Sequence, residues 1–299
     1  MEKISPEARK RYAEKIREYK QRIDAMQEAG RQAEALVQKM TREVGAPGSG
    51  ARAESPDQAA VLRTIGDKRY ELAVAFLDLV AYFNLMNALS LSLLGIRNEG
   101  YLNEARKCCY RCIIHMEEVV SPYADVPFSH YEQGLESLSG ITDRERHDFV
   151  RKLGFAIDSV IEGFGANSKW KWSFVELAGR YAVITKNLLN LKTFIARLDP
   201  RVEGYSQRLA HMQLAKRLLQ QAADRYREKY ELSTMRLDDI KQAIVFLGGL
   251  KRLHMLLGEV EEAEVVKKKT EIWKSKMETD AKKHEQDQKT AKLRRGQEG

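Results

Sequence analysis

The sequence predicts an all-α protein: long antiparallel helical hairpins forming a bundle, preceded by a coiled-coil-like N-terminal arm. Three observations carry this. Phe174, Leu177, Tyr181, Ile184, Leu188, Leu191, Ile195 and Leu198 recur at alternating steps of 3 and 4, the seam of a helix lying along a partner helix. Only six prolines interrupt 299 residues, so helices can run long. No stretch shows the period-2 alternation of a half-buried strand.

The arm covers residues 1–44. Ser5 suits a cap, Pro6 the first helical position and Glu7 the positive end of the helix dipole. Tyr12, Ile16, Tyr19, Ile23 and Met26 then form a narrow apolar seam between charged faces. Such a stripe is too thin to hold a helix alone, so the arm is expected to recruit a companion and is the first candidate partner surface. Residues 45–54, rich in Gly, Pro and Ala, read as a flexible linker.

Residues 55–277 read as the helical bundle. Ser55-Pro-Asp-Gln restarts the helix with capping-box spacing, and the helix is expected to run to Ile96. Its 18 residues Leu79–Ile96 carry no charge. A membrane span needs about 20 apolar residues. Asp78, Asn84, Asn87 and the serines favour a helix enclosed by other helices, with insertion as the alternative. The next helix opens near Gly100 and stops at Ser121–Pro122. Residues 121–140 read as loop, and Thr142-x-x-Glu145 caps a helix ending at Gly163.

The seam of the opening paragraph is then expected to run as one helix to Asp199–Pro200. A matched seam from Val202 to Tyr230, broken at Lys216, predicts an antiparallel hairpin over 174–231. Two further helices follow, over Leu237–Leu257 and Val260–Met277. Residues 278–299 form a charged tail, helical or disordered.

Leu257-Gly-Glu-Val-Glu-Glu-Ala263 resembles the turn and second-helix start of a tetratricopeptide repeat, with Gly258, Val260 and Ala263 at that family's offsets. Gly100-Tyr-Leu-Asn-Glu-Ala105 is similar but misspaced by one residue. The resemblance covers about a quarter of the chain. It implies helical hairpins with a protein-binding groove, and no peptide-binding residue carries over.

The net charge is +8, of which residues 1–44 and 274–299 each hold +3 with the signs interspersed. That reads as solvated helix faces and makes nucleic acid an unlikely partner. Three clustered cysteines and an N-terminus without an apolar run fit a cytoplasmic protein. Cys108, Cys112 and His115 share a helix face, and His130 follows in a loop. Without a second cysteine pair they read as packing residues and not as a zinc site. Cys109-x-x-Cys112 lacks the βαβ context of a redox motif. Trp170 and Trp172, alternating with Lys169 and Lys171, cover a helix start or anchor a partner.

No HExxH, phosphate-binding glycine loop or nucleophile elbow occurs. The expected function is therefore a non-enzymatic scaffold or adaptor, without cofactor, catalytic residue or metal ligand. It would bind protein partners or itself through helix seams. The alternatives are a basic membrane-associated helical protein and a nucleic-acid-binding helical protein.

Overall fold

The computed structural model describes residues 5–44, 55–165 and 168–297. The linker expected at 45–54 lies outside the described residues. Those described form ten α-helices, one 3-10 turn and one π turn, with no strand among them. The protein is an all-α helical bundle. The chain divides into two compact units, one of residues 1–123 and 127–214, the other of 124–126 and 215–299. The division falls inside the 55–277 segment read above as one bundle.

In the first unit, α1 (Pro6–Val44) and α2 (Pro56–Leu94) pack side by side. Val37 buries against Ile65 and Leu72 near one end of the pair, and Tyr19 meets Tyr82 further along. The pairing is thus antiparallel. α2 begins as its sequence indicates, with Ser55 Oγ accepting from Gln58 N at 3.2 Å. It ends at Gly95 in the left-handed conformation, where its N–H closes on Leu91 O.

α2 is the organising helix. It packs against α1, α3 (Glu99–Glu117), α4 (Glu132–Ser137) and α5 (Asp143–Phe164). Its apolar character has that cause in part: Leu72, Phe76, Leu79, Val80, Phe83 and Met86 are buried. Burial of each such side chain stabilises by about 1.5–3 kcal/mol. By length and composition α2 could also cross a membrane, and 50% of its most apolar stretch is buried inside the protein.

Residues 121–140, read as loop, contain a 3-10 turn at Phe128–His130 and the short α4. Gly134 lies so close to Val119 O that any Cβ would collide with it. α5 is closed by the complete capping box its sequence signals. Glu145 N donates to Thr142 Oγ1 at 3.2 Å, and Thr142 N donates to Glu145 Oε2 at 2.8 Å.

The long hairpin expected over 174–231 is corrected. The helix beginning at Lys171 stops at Asn187 (α6), a short α7 covers Leu191–Ala196, and α8 runs Tyr205–Lys229. Two asparagines make the break. Asn187 turns its amide to Ser121 O and Tyr123 O at 2.9 and 3.2 Å, and Asn190 Oδ1 caps α7 by accepting from Thr193 N. α6 is also no two-stranded seam. From Leu177 to Leu189 every residue but Arg180 is buried, so neighbours enclose it on all sides. The tail end of the counted seam, Ile195 and Leu198, is 52% and 47% exposed.

The second unit contains the C-terminal half of α8, α9 (Leu237–Leu256) and α10 (Val260–Gln297). Tyr226 stacks on Phe246 at 5.5 Å, and Trp273 is buried beneath Lys269 and Arg227. α9 and α10 form a tight hairpin that turns at Gly258, whose φ is +74°. Lys216, which breaks the apolar pattern of α8, reaches Glu259 in that turn at 2.5 Å. Gly249 brings Ala124 O within 2.6 Å of where a Cβ would sit, so the 124–126 segment runs hard against α9. α10 continues through Met277 to Gln297, making the charged segment helical as far as it is described.

Candidate functional site

The arm seam faces its own chain. Ile16 and Ile23 are buried, and Tyr12, Tyr19 and Met26 half-buried. Tyr19 lies 5.7 Å from Tyr82, ring to ring, and the Tyr12 hydroxyl bonds to Tyr101. Further along α1, Glu34 Oε1 receives Arg111 Nη2 at 2.5 Å and lies 3.0 Å from His115 Nε2. α2 and α3 are therefore the companion that the thin stripe calls for.

Trp170 and Trp172 sit at the start of α6. Trp170 packs on Phe164 and carries the Arg106 guanidinium 4.6 Å above its ring. Trp172 is half-buried, with Lys171 Nζ 4.7 Å from its ring centre. Arg97 Nη1 donates to Phe164 O at 2.9 Å, and Lys169 lies 3.9 Å from Glu99. These links bring the end of α2, the beginning of α3, the end of α5 and the beginning of α6 to one end of the first unit. Tyr12 adds the first turns of α1. Here Leu85, Leu91 and Ile96 are 47%, 53% and 54% exposed.

The thiols face inward. Cys109 and Cys112 are fully buried and Cys108 nearly so. Burial pushes the Cys108 thiol up to about 12 and the other two upward as well. His115 stacks on Phe76 at 5.5 Å, and burial lowers its pKa. Among the described residues no group of three or more His, Cys, Asp or Glu is placed to hold a metal ion.

Two buried arginines were not legible as site residues. Arg146 donates to Ile141 O, Leu188 O and Leu138 O at 3.2, 3.3 and 2.8 Å. Arg208 donates to Asp143 Oδ2 at 2.9 Å and to Glu203 O and Arg197 O at 2.7 and 2.9 Å. Both pin loop carbonyls around a cleft of about 530 Å³ beside Asn190, Thr193 and Gln207. One signal was available for Arg146: it lies one turn before Phe149 and Val150, in phase with the apolar stripe of α5. Next to them, His211 Nε2–H donates to Thr185 O at 2.8 Å, and its ring lies 6.3 Å from that of His147. Burial drives the His211 pKa down to about 4.

In the second unit the inner face of α10, Ala263, Val266 and Trp273, is buried. Its outer positions Val265 and Ile272, one heptad apart, are 67% and 68% exposed. At the hairpin turn Met255, Leu256 and Val260 are exposed too.

No curated protein and no solved structure matches the chain. The model of the TP0443 family matches residues 62–281, from inside α2 to inside α10. With well over half of its 299 residues matched, the chain belongs to the TP0443 family.

Proposed function

We propose that this protein is a non-enzymatic helical scaffold or adaptor that recruits protein partners through exposed apolar helix faces. The observation that carries the reading is the α9–α10 hairpin, where Val265, Ile272, Met255, Leu256 and Val260 stand in solvent. Exposed apolar side chains along a helical hairpin, interspersed here with the exposed charges Glu261, Lys267 and Lys268, are characteristic of interaction surfaces. The same hairpin carries the tetratricopeptide-like turn at Gly258. The docked arm moves the first candidate surface away from Tyr12–Met26 to this hairpin.

The thiols do not offer a nucleophile: burial raises the pKa of Cys108, Cys109 and Cys112 and keeps them protonated.

The test is site-specific photo-crosslinking in the native host from Val265 or Ile272 of the full chain. Discrete adducts are expected at these positions and should disappear when Met255 and Val260 are changed to Asp. Absence of adducts from both positions, or turnover of a small molecule by the purified protein, overturns the proposal.

A further inference from the structure

The end of the first unit where α1, α2, α3, α5 and α6 converge is built differently from the hairpin of the second unit. Along α2, Ala81, Leu85, Ala88 and Ser92 recur at steps of 4, 3 and 4 and are all exposed. They form a solvent-facing row inside the uncharged run Leu79–Ile96. Leu91, on the adjoining face, and Ile96, just past the helix end, are exposed as well. The opposite face of α2 carries the core contacts, so packing gives no reason to keep this face apolar.

The surroundings are cationic. α1 runs antiparallel to α2, with Tyr19 at Tyr82 and Tyr12 at Tyr101, so its first turns flank the last turns of α2. Segments 5–20, 79–107 and 162–172 together hold 11 Lys/Arg against 6 Asp/Glu. Four of those acids are already matched by a base: Glu7 by Arg11, Glu18 by Lys15, Glu104 by Lys107 and Glu99 by Lys169. Of the surplus, Arg9, Lys10, Arg17 and Lys20 are exposed, while Arg106 is half-buried over Trp170. Tryptophan and tyrosine complete the rim: Trp170, Trp172, Tyr12 and Tyr101 are each half-buried. Apolar side chains at the centre, aromatic rings at their border and basic residues outside is the layering of a surface that enters a bilayer headgroup region.

We infer that this end of the first unit docks on an anionic membrane surface, with Leu85, Leu91 and Ile96 entering the headgroup–acyl boundary. The basic residues supply the selectivity for anionic lipid. Charge decides against the other occupants. A second copy of the chain would bring two surfaces of like sign together. A nucleic acid would leave Leu85, Leu91 and Ile96 facing phosphates, with nothing to gain from their burial. This inference is separate from the hairpin surface of the second unit and stands if that one fails.

The experiment is vesicle co-sedimentation of the full chain. It compares zwitterionic phosphatidylcholine vesicles with vesicles holding roughly one-third phosphatidylserine, at about 0.1 M and about 0.5 M salt. Binding is expected to the anionic vesicles at low salt, to weaken at high salt, and to be absent from the zwitterionic ones. Leu85→Glu with Leu91→Glu should lower anionic-vesicle affinity by at least about tenfold, and Lys10→Glu with Lys20→Glu by a similar factor. All four positions are exposed, and circular dichroism checks that the variants keep their helicity. Equal binding to both vesicle types, or none to either, overturns the inference. So does light scattering that shows a dimer dissolved by Leu85→Glu with vesicle binding unchanged, or retardation of RNA that the leucine variants leave intact.

Discussion

The rings of Tyr19 and Tyr82 meet at 5.7 Å, tilted by 59°, and Arg22 Nη1 lies 3.4 Å from Tyr82 Oη. These contacts tie the middle of α1 to α2. On either side of them Ile16 and Ile23, one heptad apart, are 7% and 4% exposed. The arm is thus held by its own chain, and its apolar seam contributes to stability. Ile23→Ala should lower the unfolding free energy by about 2–5 kcal/mol, the range for emptying a buried isoleucine site. Light scattering should give the same mass for wild type and variant. A halved mass would show that the seam joins two chains and not two segments of one.

Arg146 presents its guanidinium to three carbonyls at the base of the 530 Å³ cleft. Removing it takes the side-chain donor from Ile141 O and Leu188 O, each lost partner costing about 1–3 kcal/mol, while Leu138 O keeps the Ile141 N–H at 3.0 Å. Arg146→Met should therefore destabilise by roughly 3 kcal/mol or more. Arg146→Lys should rescue little, because one ammonium lacks the planar fork that spans three acceptors. Chemical denaturation of the two variants checks this; full stability of the Lys variant would show that charge alone suffices.

How far the sequence speaks depends on whether a feature is local. Ser55 and Thr142 announce their helices because capping is settled within four residues, and Gly258 marks its turn because only its backbone freedom is needed there. The break after Asn187 is invisible to periodicity. Leu188, Leu191 and Ile195 keep the 3–4 spacing straight across it, while the deciding partners, Ser121 and Tyr123, lie more than 60 residues away. Arg146 and Arg208 are hidden for another reason: most of their acceptors are loop carbonyls close in sequence, but an arginine on a helix usually reads as solvent-facing. The arm seam was legible as a stripe that needs a companion. Which companion was not, because Tyr82 and Tyr101 sit within segments whose own pattern reads as apolar core or helix start.

His211 couples the fold to pH. Its folded pKa of about 4 lies below the ordinary 6.5 because burial disfavours the imidazolium next to Arg146 and His147. The unfolded chain therefore takes up a proton that the folded one refuses. Stability is fully present above about pH 6.5 and falls as the pH drops from there toward 4. His115 and His147, also lowered by burial, act in the same direction. Guanidinium unfolding at about pH 7.5 and about pH 5 should differ by roughly 2 kcal/mol from His211 alone. His211→Gln, whose amide can still donate to Thr185 O, should reduce the difference to the part that His115 and His147 contribute. An unchanged pH slope in that variant would mean that His211 does not titrate on unfolding.

The cysteines make the last test of the packed interior of α3. Cys108, Cys109 and Cys112 fall on turns that face α2 and its neighbours, and their exposures are 5%, 0% and 0%. The nucleophile in disulfide exchange is the thiolate, and burial suppresses it, with Cys108 raised to about 12. At about pH 8 the thiolate fraction of such a group is on the order of a thousandfold below that of a free cysteine. An aromatic disulfide reagent should therefore leave the native protein unlabelled over hours and modify all three thiols once guanidinium unfolds the chain. Added zinc should not alter the native result, since His115 is occupied by Glu34 and stacked on Phe76. Rapid labelling of one thiol in the folded state would mean that α3 opens locally, and zinc protection of that thiol would reinstate the metal site that the packing argues against.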